Sequence, residues 1–192
     1  SPSVVAIAGC HGKTTITSML ARINEAAHKD ATIHVGGFVD FLQGGVRVGH
    51  DGTFITEACE YVESFLTLAP TVALINNIDD DHLDYYKDID HIVLAFRKFL
   101  DHLPENGLFI ACTDDPRVAA LAAESKHTVK SYGLHSGDYR AENVRFDENG
   151  FPSFTITKNG DAVGDVSLTV PGLHNVLNAL GAYVVAETFG IP

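Results

Sequence analysis

The sequence predicts an α/β fold: a mostly parallel sheet flanked by helices, with a small antiparallel β subdomain attached. Three observations point there. An apolar run, "VVAIA" at 4–8, passes through a glycine-rich turn straight into a stretch with helical periodicity. Strand-like and helix-like segments then alternate as far as residue 134, the pattern of strands joined by helical crossovers. From Tyr139 to Val170 that alternation gives way to three short strand-like stretches separated by turn residues.

Each element follows from local chemistry. The unbroken apolar run at 4–8 is the form of a strand buried on both faces. After "GCHGKTT" (9–15), Ile16, Met19, Leu20, Ile23 and Ala27 recur at steps of three and four and line one helical face. "TFITEA" (53–58) and "TVALINNI" (71–78) are rich in β-branched residues and read as strands. Between Asp88 and Leu103, apolar residues at Ile89, Ile92, Val93, Phe96, Phe99, Leu100 and Leu103 mark an amphipathic helix. "GLFIACT" (107–113) is a strand, "DPRVAALAAES" (115–125) a helix with proline in its first turn, and "HTVKSYGL" (127–134) a further strand. "YRAENVRFD", "FPSFTITKNG" and "AVGDVSLTV", with "NG" turns at 149–150 and 159–160, predict an antiparallel sheet over about 139–170. "GLHNVLNALGAYVVAETFG" (172–190) reads as helical from about Asn175 and closed by Gly190.

Composition excludes several classes. With 192 residues, 45% hydrophobic and 20% charged, the chain has enough apolar content for a packed core and fits one domain, 1–192. A net charge of -12, with 13 Lys and Arg scattered among 25 Asp and Glu, excludes a nucleic-acid partner, which requires a basic stripe. An acidic protein that handles phosphate depends on metal ions and one or two placed lysines. Cys10, Cys59 and Cys112 form no CxxC pair, which argues against a disulfide framework or a zinc ribbon and for reduced thiols. No apolar run approaches the roughly 18 residues of a membrane span, and no basic segment leads an apolar signal region. The expectation is a cytoplasmic protein with no membrane attachment, and nothing in the sequence points to a protein partner. The chain opens on "SPSVVAIAG" without an initiator methionine and stops at "FGIP", so it is expected to be a piece of something larger.

"GCHGKTT" raises the question of a phosphate site. The general phosphate loop has a glycine five residues before the one in Gly-Lys; here that position is Ile7, and Gly9 stands three before Gly12. Strand, glycine turn and helix nevertheless follow in order, and that arrangement aims backbone N–H groups and the positive end of a helix dipole at one point. Gly9 and Gly12 would let phosphate oxygens approach, Lys13 would bridge the terminal phosphates, and Thr14 would offer its hydroxyl to Mg²⁺. A tight turn followed by lysine by chance is the competing reading. Glu57 closes one predicted strand, and His82, in "NNIDDDHLD", follows the next. The carboxyl ends of parallel strands are where open α/β sheets bind ligands. A solvated acidic turn at Asp79, Asp80 and Asp81 with an ordinary surface histidine is the competing reading there.

"GCHGKTTITSML", "TEACEYVESFL", "VALINNIDDDHLDYYKDIDHI" and "VPGLHNVLNALGAY" resemble, in order and spacing, motifs of the central ATP-binding domain of the Mur ligases. The resemblance covers essentially the whole chain. It implies ATP and Mg²⁺ as cofactors and a short phosphate loop over Gly9, Cys10, His11, Gly12, Lys13, Thr14 and Thr15. It further implies Lys13 on the β and γ phosphates, Thr14 and Glu57 on one Mg²⁺, and His82 as ligand of a second metal, with Glu60 a weaker candidate for the carboxylate role. His174, Asn175 and Asn178 correspond to the family's adenine contacts, with helix capping by Asn175 compatible with that role. "IHVGGFV" (33–39) resembles the loop lining the muramyl pocket, so Gly36 and Gly37, with His82, are the candidate substrate contacts. Within the family the likeness is to ligases that join L-alanine to UDP-N-acetylmuramate in peptidoglycan synthesis by way of an acyl phosphate. A muropeptide-recycling ligase, a folylpolyglutamate synthase, or a nucleotide-binding switch without ligase chemistry are the alternatives. Two departures stand out. Cys10 occupies a position where threonine is commoner, and Phe96 or Arg97, with Lys98 off register, falls where many members carry a carbamylated lysine. The family's uridine-nucleotide and amino-acid domains are not in this sequence, so the chain is not expected to ligate alone.

Overall fold

A computed structural model describes residues 3–80 and 85–191. Ten strands form one sheet: β1 (Ser3–Ala8), β2 (Thr32–Val39), β3 (Gly44–Arg47), β4 (Thr53–Glu57), β5 (Val72–Ile75), β6 (Leu108–Cys112), β7 (Thr128–Gly133), β8 (Tyr139–Phe146), β9 (Pro152–Lys158) and β10 (Asp161–Ser167). Their order is β10-β9-β8-β7-β6-β5-β1-β4-β2-β3. The central six, with β8 on β7, pair in parallel, while β3 on β2, β9 on β8 and β10 on β9 are antiparallel. The predicted antiparallel subdomain is therefore present as a continuation of the main sheet. Its junction is thin, since β7 and β8 share only Tyr132↔Tyr139 and Gly133↔Arg140.

Helices α1 (Lys13–Ala26), α2 (Ile89–Leu100), α3 (Pro116–Glu124) and α4 (Leu173–Thr188) cover the two faces. Strand alternation sorts the core into two layers. Val5, Ile7, Leu74 and Ile110 pack with Ile16 and Leu20 of α1 and with Val176 and Leu180 of α4. Ala6, Ala8, Ala73 and Ala111 point the other way. Their small side chains leave room for Phe96 and Phe99 of α2 and for Phe65, which stacks on Phe99 at 4.7 Å and meets Phe96 edge-on at 5.2 Å.

Sequence chemistry explains the boundaries. The Asp88 carboxylate accepts the His91 N–H and starts α2; Asp115 accepts from Arg117 and Val118 and starts α3, with Pro116 at its first position. α4 begins at Leu173, two residues before the expected start, after Gly172 at a left-handed φ of 98°. β5 ends at Ile75, short of the predicted 78, because the following residues bond to the glycine loop at 9–12 and to the cap of α3. Residues 33–39, expected as a loop, lie in strand β2; it leaves the ladder between His34 and Val39, where the register against β3 shifts. At the far end of α4, Glu187 accepts from Lys130 of β7 (2.8 Å), Tyr139 of β8 (3.0 Å) and Lys158 of β9. Burial alone would raise its pKa, but these three donors outweigh it and hold the carboxyl at about 2.

Candidate functional site

The site lies at the carboxyl ends of β1, β4, β5 and β6. Gly9 (φ 132°) and Gly12 (φ 89°) both take backbone angles that side-chain-bearing residues rarely adopt, and Gly12 immediately precedes α1. A Cβ at Gly9 would lie 3.1 Å from the Asn77 nitrogen, so the loop fits against the segment after β5 only with glycine there. Helix α1 has no side-chain cap and no acidic residue in its first turn. Its positive end is left to an anion from outside the helix.

Four predicted residues converge beside that helix start. The Lys13 ammonium donates to Gly9 O (2.5 Å), Cys10 O (3.4 Å) and Glu60 Oε2 (2.9 Å). The Thr14 hydroxyl donates to Glu57 Oε2 at 3.1 Å, and Glu57 Oε1 accepts the Gly36 N–H at 2.7 Å. Pairing of Ile7 with Glu57 sets this carboxylate level with the end of β1. Gly37 adjoins the same corner, where an added Cβ would meet Thr14 Cγ2 at 3.7 Å. Glu60 does not join Glu57 in a carboxylate pair; it is the counter-ion of Lys13, with a side chain only 1% exposed. Tyr86 donates its hydroxyl to the Glu60 carbonyl, and burial, with Glu63 and Glu60 nearby, pushes the phenol's pKa up.

The donor set suits a hard divalent cation. A hydroxyl and a carboxylate oxygen 3.1 Å apart at a helix start are oxygen ligands of the type Mg²⁺ takes. Among the described residues there is no cluster of three or more His, Cys, Asp and Glu, so such an ion would complete its shell with water and phosphate oxygens. His82, the candidate for a second metal, lies outside the described residues.

Beside the loop opens a cavity of about 480 Å³, lined in part by His11, Thr15, Asn77, Asp115, His174 and Asn178. That volume is in the range of small-molecule sites. His174 is exposed at its mouth, whereas Asn175 and Asn178 are buried. Asn178 Nδ2 donates to Asn175 Oδ1 (3.1 Å) and Asn175 Nδ2 to Pro171 O (2.8 Å). Asn175 therefore does not cap α4, which starts two residues earlier.

Sequence reasoning missed the residues that brace the loop. Cys10 N–H donates to Asn77 O (3.1 Å), His11 N–H to Asn77 Oδ1 (2.7 Å), and Asn77 Nδ2 to His11 O (3.0 Å). The Cys10 thiol accepts the Asp79 N–H (3.2 Å) and donates to the Asp79 carbonyl (3.5 Å). This gives Cys10 a structural role: it fastens the loop to the segment leading toward His82. Asp115 spends one carboxylate oxygen on capping α3 and the other on the Ile78 N–H at 3.0 Å. The strand-end rule that selected Glu57 also selects "NN" after β5 and "DD" after β6. Of the three residues near the position where many members carry a carbamylated lysine, Phe96 is buried, Arg97 pairs with Glu124 and Lys98 with Glu63. No helix among the described residues is long and apolar enough to cross a membrane.

The chain matches the Mur ligase middle domain over residues 7–186. It is 44% identical over 191 residues to a UDP-N-acetylmuramate–L-alanine ligase of Acetivibrio thermocellus, covering 98% of this chain and 41% of that protein. Among solved structures, UDP-N-acetylmuramate-alanine ligase MurC from Thermotoga maritima superposes with a TM-score of 0.83 at 28% identity, over 99% of this chain and 42% of that one. The UDP-N-acetylmuramate:L-alanyl-gamma-D-glutamyl-meso-diaminopimelate ligase from Neisseria meningitides gives 0.86 at 26% identity, over 99% and 62%. This chain therefore spans well under half the length of the alanine ligases it matches. With a short glycine loop braced by the end of β5, and with Lys13, Thr14 and Glu57 converging beside it, the chain belongs to the Mur ligase middle-domain family.

Proposed function

We propose that this chain is the ATP-binding core of a cytoplasmic ligase that joins L-alanine to UDP-N-acetylmuramate in peptidoglycan synthesis. The convergence of Lys13, Thr14, Glu57 and Gly36 at the start of α1 carries the reading, and 44% identity over nearly the whole chain supports the choice of substrates. The loop N–H groups and the helix dipole receive the phosphates of ATP, and the cavity beside His174 receives the adenosine end. Lys13 exchanges its bond to Gly9 or Cys10 for a phosphate oxygen and keeps Glu60 as its anchor. Thr14 and Glu57 would hold Mg²⁺, with His82 the candidate for a second ion. When bound, the metal neutralises charge on the phosphate oxygens. The lactyl carboxylate attacks the γ-phosphorus as the bond to ADP breaks; the alanine amine then attacks the acyl carbon, loses a proton and expels phosphate. Lys13 stabilises charge developing on the transferred group.

A muropeptide-recycling ligase is the second reading, favoured by the fold likeness to the Neisseria ligase. UDP-N-acetylmuramate and L-alanine are bound with the help of the family's other domains, so this chain alone does not form the amide. Calorimetric titration of the chain with Mg²⁺ and ATP tests the core of the proposal. Lys13→Ala is expected to weaken binding at least about tenfold, as loss of a charge-assisted contact implies. Unchanged affinity, or robust amide formation by the chain alone, refutes it. Acceptor assays of the full-length protein with L-alanine and with a tripeptide separate the two ligase readings.

A further inference from the structure

Asn76, the first residue after β5, is 6% exposed and sits between the phosphate loop and α4. Its Nδ2 donates to His11 O of the loop (3.1 Å) and to Asn178 Oδ1 of α4 (3.0 Å), while its Oδ1 accepts from the Tyr132 hydroxyl of β7 (2.8 Å). Asn178 and Asn175 continue the chain of amides to Pro171 O. The direction of this relay is fixed at both ends. His11 O and Pro171 O are carbonyls that only accept, so each must face an Nδ2 group, and the three amides between them have one consistent orientation. The packing is equally specific. A Cβ on Gly12 would come within 2.7 Å of Asn76 Nδ2, and a Cβ on Gly181 within 2.9 Å of the Tyr132 hydroxyl. The phosphate loop and α4 thus both carry glycine where the relay passes them.

We propose that Asn76 is a positioning residue for the nucleotide, acting through Asn178: it sets the orientation of that amide at the cavity and ties it to the loop that receives the phosphates. The proposal rests on the cavity being the nucleotide site, and it adds a coupling between the adenosine and phosphate ends. Buried, fully bonded amide networks are stiff, and releasing one member frees its neighbours. Residues in one hydrogen-bond network show non-additive effects, whereas independent ones add.

The test is a double-mutant cycle on the chain, reading ATP affinity by calorimetry at saturating Mg²⁺ together with the melting temperature. Asn76→Ala and Asn178→Ala are each expected to weaken binding about tenfold, and the double variant about tenfold as well rather than about a hundredfold. Tyr132→Phe removes only a hydroxyl and keeps the ring against Gly181. It is expected to weaken ATP about threefold in the parent chain and not at all in the Asn178→Ala background. Multiplicative effects, or full affinity in Asn76→Ala and Tyr132→Phe while Lys13→Ala loses it, overturn the coupling and leave the nucleotide site standing. Parent binding that is insensitive to Lys13→Ala overturns both.

Discussion

Replacing Gly36 with alanine displaces the Glu57 carboxylate without altering its chemistry. The added Cβ would lie 2.7 Å from Glu57 Oε2, 3.0 Å from Cδ and 3.3 Å from Oε1. Ordinary contact begins near 3.4 Å, so the carboxylate must retreat by about 0.7 Å. Gly36 is exposed and has no left-handed φ, so the backbone accepts alanine, and the unfolded chain becomes slightly less flexible. The fold is therefore spared, while the contacts at 2.7 Å to Gly36 N–H and 3.1 Å to the Thr14 hydroxyl cannot both survive. A hydrogen bond to a charged group is worth about 1.5–3 kcal/mol, or about tenfold to a hundredfold in Mg²⁺-dependent ATP affinity. The assay is calorimetric titration of ATP at fixed Mg²⁺ and of Mg²⁺ at fixed ATP, with the melting temperature recorded alongside. Affinity within about twofold of the parent at an unchanged melting temperature would show that the placement of Glu57 is not what binds the nucleotide.

Two further expectations concern stability. Asp115→Ala removes the cap of α3 and the tether on Ile78 together; a loss of about 1–2 kcal/mol is expected, read as a fall of about 3–6 °C in melting temperature. Glu187, held at about 2, lies below its ordinary value of 4.5, so its contribution is complete above that value and fades as the pH falls toward 2. Glu187→Gln should cost about 1–2 kcal/mol near neutral pH and match the parent near pH 2; a melting difference that persists undiminished in acid contradicts the ion network.

The parts of the fold visible in the sequence are those with short-range causes. β1, the glycine turn and α1 are written contiguously, and α2 and α3 carry their own caps, Asp88 and Asp115. Lys13 and Thr14 could be placed from the glycine turn leading into α1, and Glu57 from the strand-end rule, which needs only the order of elements. Residues 33–39, likened to a loop of the family, lie in β2, and the carboxylate of Glu57 occupies the space a Gly36 side chain would need. The bracing of the loop was hidden for a different reason: Asn76 bonds across 102 residues to Asn178, and no local pattern encodes a partner that far away. Cys10 looked unexplained in sequence since its partner, the backbone of Asp79, has no side-chain identity to read.

The narrow junction between β7 and β8 divides the sheet's cooperativity. Two residue pairs of backbone ladder join the parallel strands to the β8–β10 meander, with the Glu187 clasp of α4 and the Asp138 carboxylate on Ser131 as further ties. Sub-global opening follows the weakest seam of a structure. Opening that starts at this seam is therefore expected to release the meander before the glycine loop and its parallel strands, which faster amide hydrogen exchange over 139–167 would show, and the helix whose first turns border the cavity is also the one whose last turn ties that unit down.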